Sequence, residues 1–207
     1  MSPTSGLFFL LPLTLCLALH PHLTTATPKN ATTTTTTTTT PKNATTATTP
    51  KNATTSLIEK ACSMSQRKAF CLSVLKSEPN SKNADLKGLA FIALKAASKN
   101  ATTILVKIQT WLNDTEAEPA LDDALSGCDD SYLDVVDQIG DSINALVSGA
   151  NGNVETWMKA AVADIDTCDA GVKGLTTAHA VELTQGNRVL RQLCNVALGI
   201  VHVLSRN

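Results

Sequence analysis

The chain has 207 residues, 3% of them aromatic, with 17 basic and 18 acidic side chains and a formal net charge of −1. Three of the lysines lie in a threonine-rich segment that has no acid, which leaves 14 basic and 18 acidic residues for the rest of the chain. This balance argues against nucleic acid as a partner, because binding to phosphate backbones needs clustered Lys and Arg.

Residues 1–26 have the pattern of a secretory signal peptide. The apolar run from Leu7 to Leu19 has 13 residues, fewer than the roughly 20 that a membrane-spanning helix needs. Small residues around Ala26 suit cleavage there, although the first six residues contain no Lys or Arg. No second long apolar run follows, so we expect a secreted, extracellular protein that has no membrane contact after cleavage.

Residues 27–55, which we term the stalk, contain three copies of PKNATT and a run of nine threonines. These residue types offer little apolar surface to offset the entropy cost of ordering, so the stalk is predicted to be disordered. Asn30, Asn43 and Asn52 are acceptors for N-glycosylation, and Thr-rich tracts with spaced prolines are typical of O-glycosylated stalks. A linker that merely tolerates tandem duplication is the alternative.

Residues 56–207 are predicted to form one all-α domain. The segment 56–78 is predicted to be a helical hairpin, and 83–206 contains four segments whose apolar residues recur in steps of three and four. With short connections, these segments predict an antiparallel up-down-up-down four-helix bundle. The four apolar stripes are Ala90, Leu94, Ala97, Ala101, Ile104, Ile108 and Trp111; Leu121, Leu125, Cys128, Tyr132, Val135, Ile139, Ser142 and Leu146; Val154, Met158, Ala161, Ile165 and Cys168; and Leu183, Asn187, Leu190, Cys194, Ala197, Val201 and Leu204.

Five cysteines remain after signal cleavage, which indicates two bridges and one further thiol, free or intermolecular. Cys128 and Cys168 both face the predicted core and could meet across adjacent helices, while Cys62 and Cys71 could close the hairpin. Cys194 would then remain as a small buried hydrophobe. The sequence does not fix this pairing.

Patterns that indicate catalysis or metal binding are scarce. The domain has two histidines, His179 and His202, and no His-Glu-x-x-His, Gly-x-Ser-x-Gly or phosphate-binding glycine motif. The cysteine spacing does not suit zinc, and no row of aromatic residues indicates a lectin. We therefore expect no catalytic residues, no metal and no cofactor.

Four stretches resemble the plant invertase and pectin methylesterase inhibitors, over nearly the whole domain. They are FCLSVLKSEPNSKNADLKGLAFIAL, ALSGCDDSYLDVVDQIGDSINAL, VETWMKAAVADIDTC and QLCNVALGIVHVL, in the family's order. The resemblance implies a four-helix bundle with an N-terminal hairpin, bridges from Cys62 to Cys71 and from Cys128 to Cys168, and an unpaired Cys194. Ser65 and Lys68 depart from the Thr and Pro that relatives often carry in the hairpin.

The resemblance implies a monomeric inhibitor of the apoplast or cell wall that docks on an enzyme without covalent chemistry. VETWMKAAVADIDTC is more similar to pectin methylesterase inhibitors, whereas CDDSYLDVVDQI and GNRVLRQLCNVALGIV are more similar to invertase inhibitors. We favour pectin methylesterase as the partner and keep acid invertase as the alternative. A wall glycoprotein without inhibitory activity and a binder of a small ligand are further alternatives.

Two further features of the domain bear on binding and modification. Asn100 and Asn113 are additional glycosylation acceptors, and Asn100 lies nearer the apolar stripe, so we expect its occupancy to be lower. No basic residue stands between Lys107 and Lys159, where acids crowd the predicted second bundle helix off its stripe. The candidate partner-facing acids are Asp129, Asp130, Asp134 and Asp137.

Overall fold

The computed structural model describes residues 51–113 and 119–206, with side chains from Ser56 onward. The predicted signal peptide and the stalk up to residue 50 lie outside the described residues. Six α-helices and two short 3-10 turns make up most of the described part, which contains no strand. The helices are α1 Lys51–Ala61, α2 Lys68–Ser77, α3 Leu86–Leu112, α4 Pro119–Ser148, α5 Asn151–Gly171 and α6 Ala178–Ser205, and the 3-10 turns are Cys62–Met64 and Pro79–Asn83.

The helices α3 to α6 form the predicted four-helix bundle. α3 packs against α4 and α6, and α5 packs against the same two helices, so α4 and α6 lie diagonally opposite. Lys87, at the start of α3, donates a 3.0 Å hydrogen bond to the carbonyl of Val147, at the end of α4. Trp111, at the end of α3, stacks on His179, at the start of α6. Adjacent helices therefore run antiparallel, and the predicted fold class is confirmed.

The apolar stripes of the sequence form the bundle core. Every predicted stripe residue is buried except Trp111 and Leu204, which are half-buried near helix ends. By length and composition, α3 alone among the described helices could also cross a membrane. Nine of its residues instead lie in the core of the bundle. Its apolar character is therefore accounted for by helix packing.

Helix boundaries follow local capping. The side chain of Asp85 accepts a 2.7 Å hydrogen bond from the backbone N–H of Gly88, and that of Thr177 accepts one of 3.3 Å from the N–H of Ala180, so both residues act as N-caps. Pro119 opens α4, where its missing N–H costs nothing. Gly149 adopts φ = 82° in the tight turn to α5, a conformation that favours glycine.

Two helix boundaries differ from the predicted segment boundaries. α1 begins at Lys51, so residues 51–55 are helical although they belong to the stalk predicted to be disordered. Ile58 and Ala61 are buried and anchor this helix, and a helix that has already formed extends at little cost. The bundle begins at Leu86 and not at residue 83, because Asp85 caps α3 and Pro79–Asn83 forms a 3-10 turn.

Candidate docking surface

The described residues contain no group of three side chains able to hold a metal ion. His179 is occupied by its stack on Trp111, with ring centroids 4.7 Å apart. Nε2 of His202 lies 3.3 Å from a carboxylate oxygen of Glu155 on α5. Each histidine thus makes a contact between two helices. The candidate functional site is therefore a surface of the bundle.

The outer face of α4 is strongly acidic. From Pro119 to Ser148, α4 contains seven aspartates and no Lys or Arg. Asp130, Asp134 and Asp137 are exposed. Their side chains are free of ion pairs within the described residues, so this face carries uncompensated negative charge.

Asp129 differs from the other candidate acids. Its side chain is half-buried, and Oδ1 is shielded from solvent without a hydrogen-bond partner in the described part of the chain. The acids of α4 are predicted to lie off the apolar stripe, and Asp129 does so, but it is only partly exposed. Cys128 lies on the core stripe, and Asp129 is the next residue. One residue advances about 100° around a helix, so Asp129 lies at the edge of the packed face.

Helix α3 has the opposite charge pattern. Its 27 residues include four lysines and no acid. Lys107 pairs with Glu182 on α6 at 2.5 Å, and Lys87 bonds to the end of α4. Lys95 and Lys99 are exposed and have no ion-pair partner among the described residues. One helix of the bundle is thus acidic and its neighbour basic.

Two disulfides restrain the domain. Cys62 and Cys71 join the end of α1 to α2, with Cα atoms 5.8 Å apart. Cys128 and Cys168 join α4 to α5, with Cα atoms 4.6 Å apart. All four cysteines are buried. These are the pairs that the resemblance described above implies; the first closes the hairpin, and the second ties the acidic helix to α5.

A family model described as plant invertase/pectin methylesterase inhibitor matches residues 56–200 of the chain. The chain belongs to this family. The match covers the hairpin from Ser56 and the bundle up to Ile200 in α6. Because the family is one of proteinaceous inhibitors, the chain is an inhibitor-type protein and not an enzyme.

Relatives within the family differ in the enzyme that their names specify. The chain is 28% identical over 147 residues to a pectinesterase inhibitor of Actinidia deliciosa, covering 71% of this chain and 78% of the relative. It is 33% identical over 147 residues to the cell wall / vacuolar inhibitor of fructosidase 2 of Arabidopsis thaliana, covering 70% and 81%. A crystal structure of a mutant pectin methylesterase inhibitor from Arabidopsis matches with a TM-score of 0.61 and 27% identity, covering 68% of this chain and 92% of that one.

Cys194 is the free cysteine of this family member within the described residues, and it is fully buried in α6. Burial raises the pKa of its thiol to about 12, since the charged thiolate is disfavoured away from water. The thiol therefore stays protonated at physiological pH and packs as an apolar group.

The domain's two sequons differ in exposure. Asn113 is exposed at the end of α3, where its Nδ2 donates a 2.7 Å hydrogen bond to the carbonyl of Gln109. Asn100 is half-buried, and its Oδ1 is shielded without a partner in the described region. Asn30 and Asn43 lie outside the described residues, as does the side chain of Asn52.

A buried polar cluster is the feature that sequence analysis missed. Tyr132 on α4 and Asn187 on α6 are hydrogen-bonded inside the core, and burial raises the pKa of Tyr132. Nδ2 of Asn187 donates to Asp169 at 3.2 Å, and Arg191 contacts Asp169 and Asp166. The signal was present in the sequence, because an amide on an otherwise apolar stripe requires a buried partner.

Proposed function

We propose that this protein inhibits pectin methylesterase by docking its helical bundle over the substrate cleft of the enzyme. The observation that carries the proposal is the family match over residues 56–200, together with relatives named as pectinesterase inhibitors. VETWMKAAVADIDTC, which resembles pectin methylesterase inhibitors, forms part of α5 and lies beside the acidic helix. Inhibition of this kind is steric and needs no catalytic residue.

Rigidity supports a docking mechanism. The Cys128–Cys168 disulfide connects α4 to α5, and the buried Tyr132–Asn187 hydrogen bond connects α4 to α6. A surface that is already ordered before binding loses less conformational entropy when the complex forms. The same helix surfaces can therefore be presented to the enzyme without rearrangement.

Exposed acids on α4 supply the proposed contact surface. Asp130, Asp134 and Asp137 share the outer face of the helix, and their charge is uncompensated along α4. Complementary charge on an enzyme would speed encounter more than it deepens affinity. The corresponding partner is a pectin methylesterase with a basic surface beside its cleft.

Acid invertase is the second candidate target. The 33% identity to the Arabidopsis inhibitor of fructosidase supports this alternative, since fructosidase activity is the activity of invertases. The leader of residues 1–26 and the sequons of the stalk support secretion to the apoplast, where either enzyme would be met. One inhibitor per enzyme, from a monomeric bundle, is the expected stoichiometry.

The test is to titrate the purified mature chain against a panel of plant pectin methylesterases and cell-wall and vacuolar acid invertases. Loss of pectin methylesterase activity, with saturation near one inhibitor per enzyme and no effect on invertases, supports the proposal. Loss of invertase activity alone assigns the second candidate. Activity of both panels left unchanged would favour a wall glycoprotein without inhibitory activity.

A further inference from the structure

The outward face of α3 forms a continuous strip with two grooves. The first groove has a volume of about 740 Å³ and lies between the Pro79–Asn83 turn and the first half of α3. The second, of about 470 Å³, lies along the second half of α3. Lys99 lines both grooves. At 1.5 Å of rise per residue, the strip from Gly88 to Lys107 is roughly 28 Å long.

Positive charge dominates this strip. Lys95 and Lys99 stand on successive turns, exposed and without an ion-pair partner among the described residues, whereas Lys107, two turns later, is paired with Glu182 of α6. α3 contributes no acid, and Glu78 at the far end of the first groove is the acidic residue among its lining side chains. A linear anion could therefore contact Lys95 and Lys99 in turn.

The strip also offers apolar and polar contacts. Phe91 lies in the first groove and is 38% exposed, and Val106 lies in the second and is 55% exposed. Asn80 lines the first groove, and Thr102 and Thr103 line the second. Both hydroxyls already donate to backbone carbonyls, so their oxygens remain available as acceptors.

We propose that this strip binds a linear polyuronate, an anionic polysaccharide with one carboxylate on each sugar ring. The lysines would pair with successive carboxylates, the apolar face of a ring would pack on Phe91, and Asn80 and the threonines would contact ring hydroxyls. This inference rests on the proposed function, because a pectin methylesterase removes methyl groups from an esterified polyuronate and leaves free carboxylates as its product. The polyuronate would hold the inhibitor where the enzyme has acted.

Other polyanions fit less well. Nucleic acid requires a denser basic surface than two unpaired lysines, because duplex DNA carries one charge per roughly 1.7 Å of its axis. A polyuronate spreads its charge singly along a chain of rings, which agrees with the single charges of Lys95 and Lys99 on successive turns. Because the strip lies on α3 and the proposed enzyme contacts lie on α4, both surfaces could be used at once.

The test measures binding of the full mature chain to immobilised polygalacturonate by surface plasmon resonance, with no enzyme present. The variant is Lys95→Gln/Lys99→Gln, and the matched control is Lys173→Gln/Arg188→Gln, which removes the same charge from exposed positions elsewhere. We expect the variant to bind about tenfold more weakly, the effect of losing two exposed ion pairs, and the control to bind normally. Binding should weaken as salt rises.

Phe91→Ala and the choice of polymer separate a built site from simple charge attraction. Phe91→Ala should weaken polygalacturonate binding several-fold, while fully methyl-esterified polymer and neutral galactan should not bind. Equal loss in the variant and its control, binding to dextran sulfate as tight as to polygalacturonate with no effect of Phe91→Ala, or lysine-dependent self-association would each overturn the proposal. Enzyme inhibition is assayed separately, so its absence would count against the proposed function and not against this site.

Discussion

Tyr132 on α4 donates a 2.6 Å hydrogen bond to Oδ1 of Asn187 on α6, so two diagonally opposite helices are joined through the centre of the core. Both side chains are fully buried. Asn187 then donates to Asp169 of α5, which connects the centre of the bundle to the ion pair of Arg191 near its surface. The cluster specifies how three helices align, since each polar group is satisfied only in this arrangement.

Tyr132→Phe should lower the free energy of unfolding by about 1–3 kcal/mol, because Oδ1 of Asn187 would stay buried without its donor. Asn187→Leu should lower the free energy of unfolding by a similar amount. The double variant should lower it by less than the sum of the two single effects, since both members of the pair are then apolar. Urea denaturation of the four proteins measures this. Strictly additive losses would show that the hydrogen bond makes no coupled contribution.

Removal of the α4–α5 bridge should destabilise the domain strongly. Cys128 and Cys168 are 40 residues apart in sequence. Closing a loop of that size lowers the entropy of the unfolded chain and so raises its free energy by about 4 kcal/mol. The Cys128→Ser/Cys168→Ser variant should therefore unfold at a much lower urea concentration than the parent protein. Cys194→Ser is the matched control, expected to keep inhibition intact at a cost of about 1–3 kcal/mol for the buried hydroxyl. Non-reducing peptide maps that link Cys194 to another cysteine of the chain would contradict the pairing.

The thiol of Cys194 should be unreactive in the folded protein. Its burial and its raised pKa, about 12, leave almost no thiolate at pH 8. Ellman's reagent should detect no thiol in the native mature chain and one after denaturation without reductant. Rapid labelling of the native protein would show that this region of α6 opens, and Cys194→Ser would identify the residue responsible.

Charge removal from α4 should slow association with the target enzyme. Asp130→Asn/Asp134→Asn should reduce the association rate several-fold at low salt and weaken its salt dependence, with little change in dissociation. Glu59→Gln/Glu78→Gln removes the same charge from exposed positions outside α4 and is the control. Asp129 is left unchanged because its burial would mix folding effects into the result. Equal rates for both variants would make α4 a solvated face without a steering role.

Glycan occupancy should differ between the two sequons of the bundle. Asn113 is exposed at a helix end, whereas Asn100 is half-buried in the middle of α3, so a glycan on Asn100 would have to emerge from a packed helix. Mass spectrometry of the secreted protein should show higher occupancy at Asn113. Asn113→Gln should remove most of the bundle's glycan mass. Full occupancy at Asn100 alone would contradict this expectation.

Helix identity and packing could be read from the sequence because they depend on a repeating pattern. Apolar residues such as Leu94, Leu125 and Ile165 recur at helical spacing. Residues at this spacing lie on one side of a helix, and burying that side requires neighbouring helices. Proline and glycine likewise marked the start of α4 and the turn to α5. These signals depend on residues that are close together in the chain, so they can be recognised from the sequence without the tertiary structure.

Contacts between distant residues depended on the three-dimensional arrangement. The partner of Asn187 is 55 residues away, and the burial of Asp129 depends on how α4 is rotated against its neighbours, which a stripe of apolar residues defines only approximately. The helical start at Lys51 likewise follows from packing of Ile58 and Ala61 onto the domain, which outweighs the poor helical propensity of the residues before them. The first groove along α3 exists because the Pro79–Asn83 turn folds back beside the helix, and no local pattern specifies that approach.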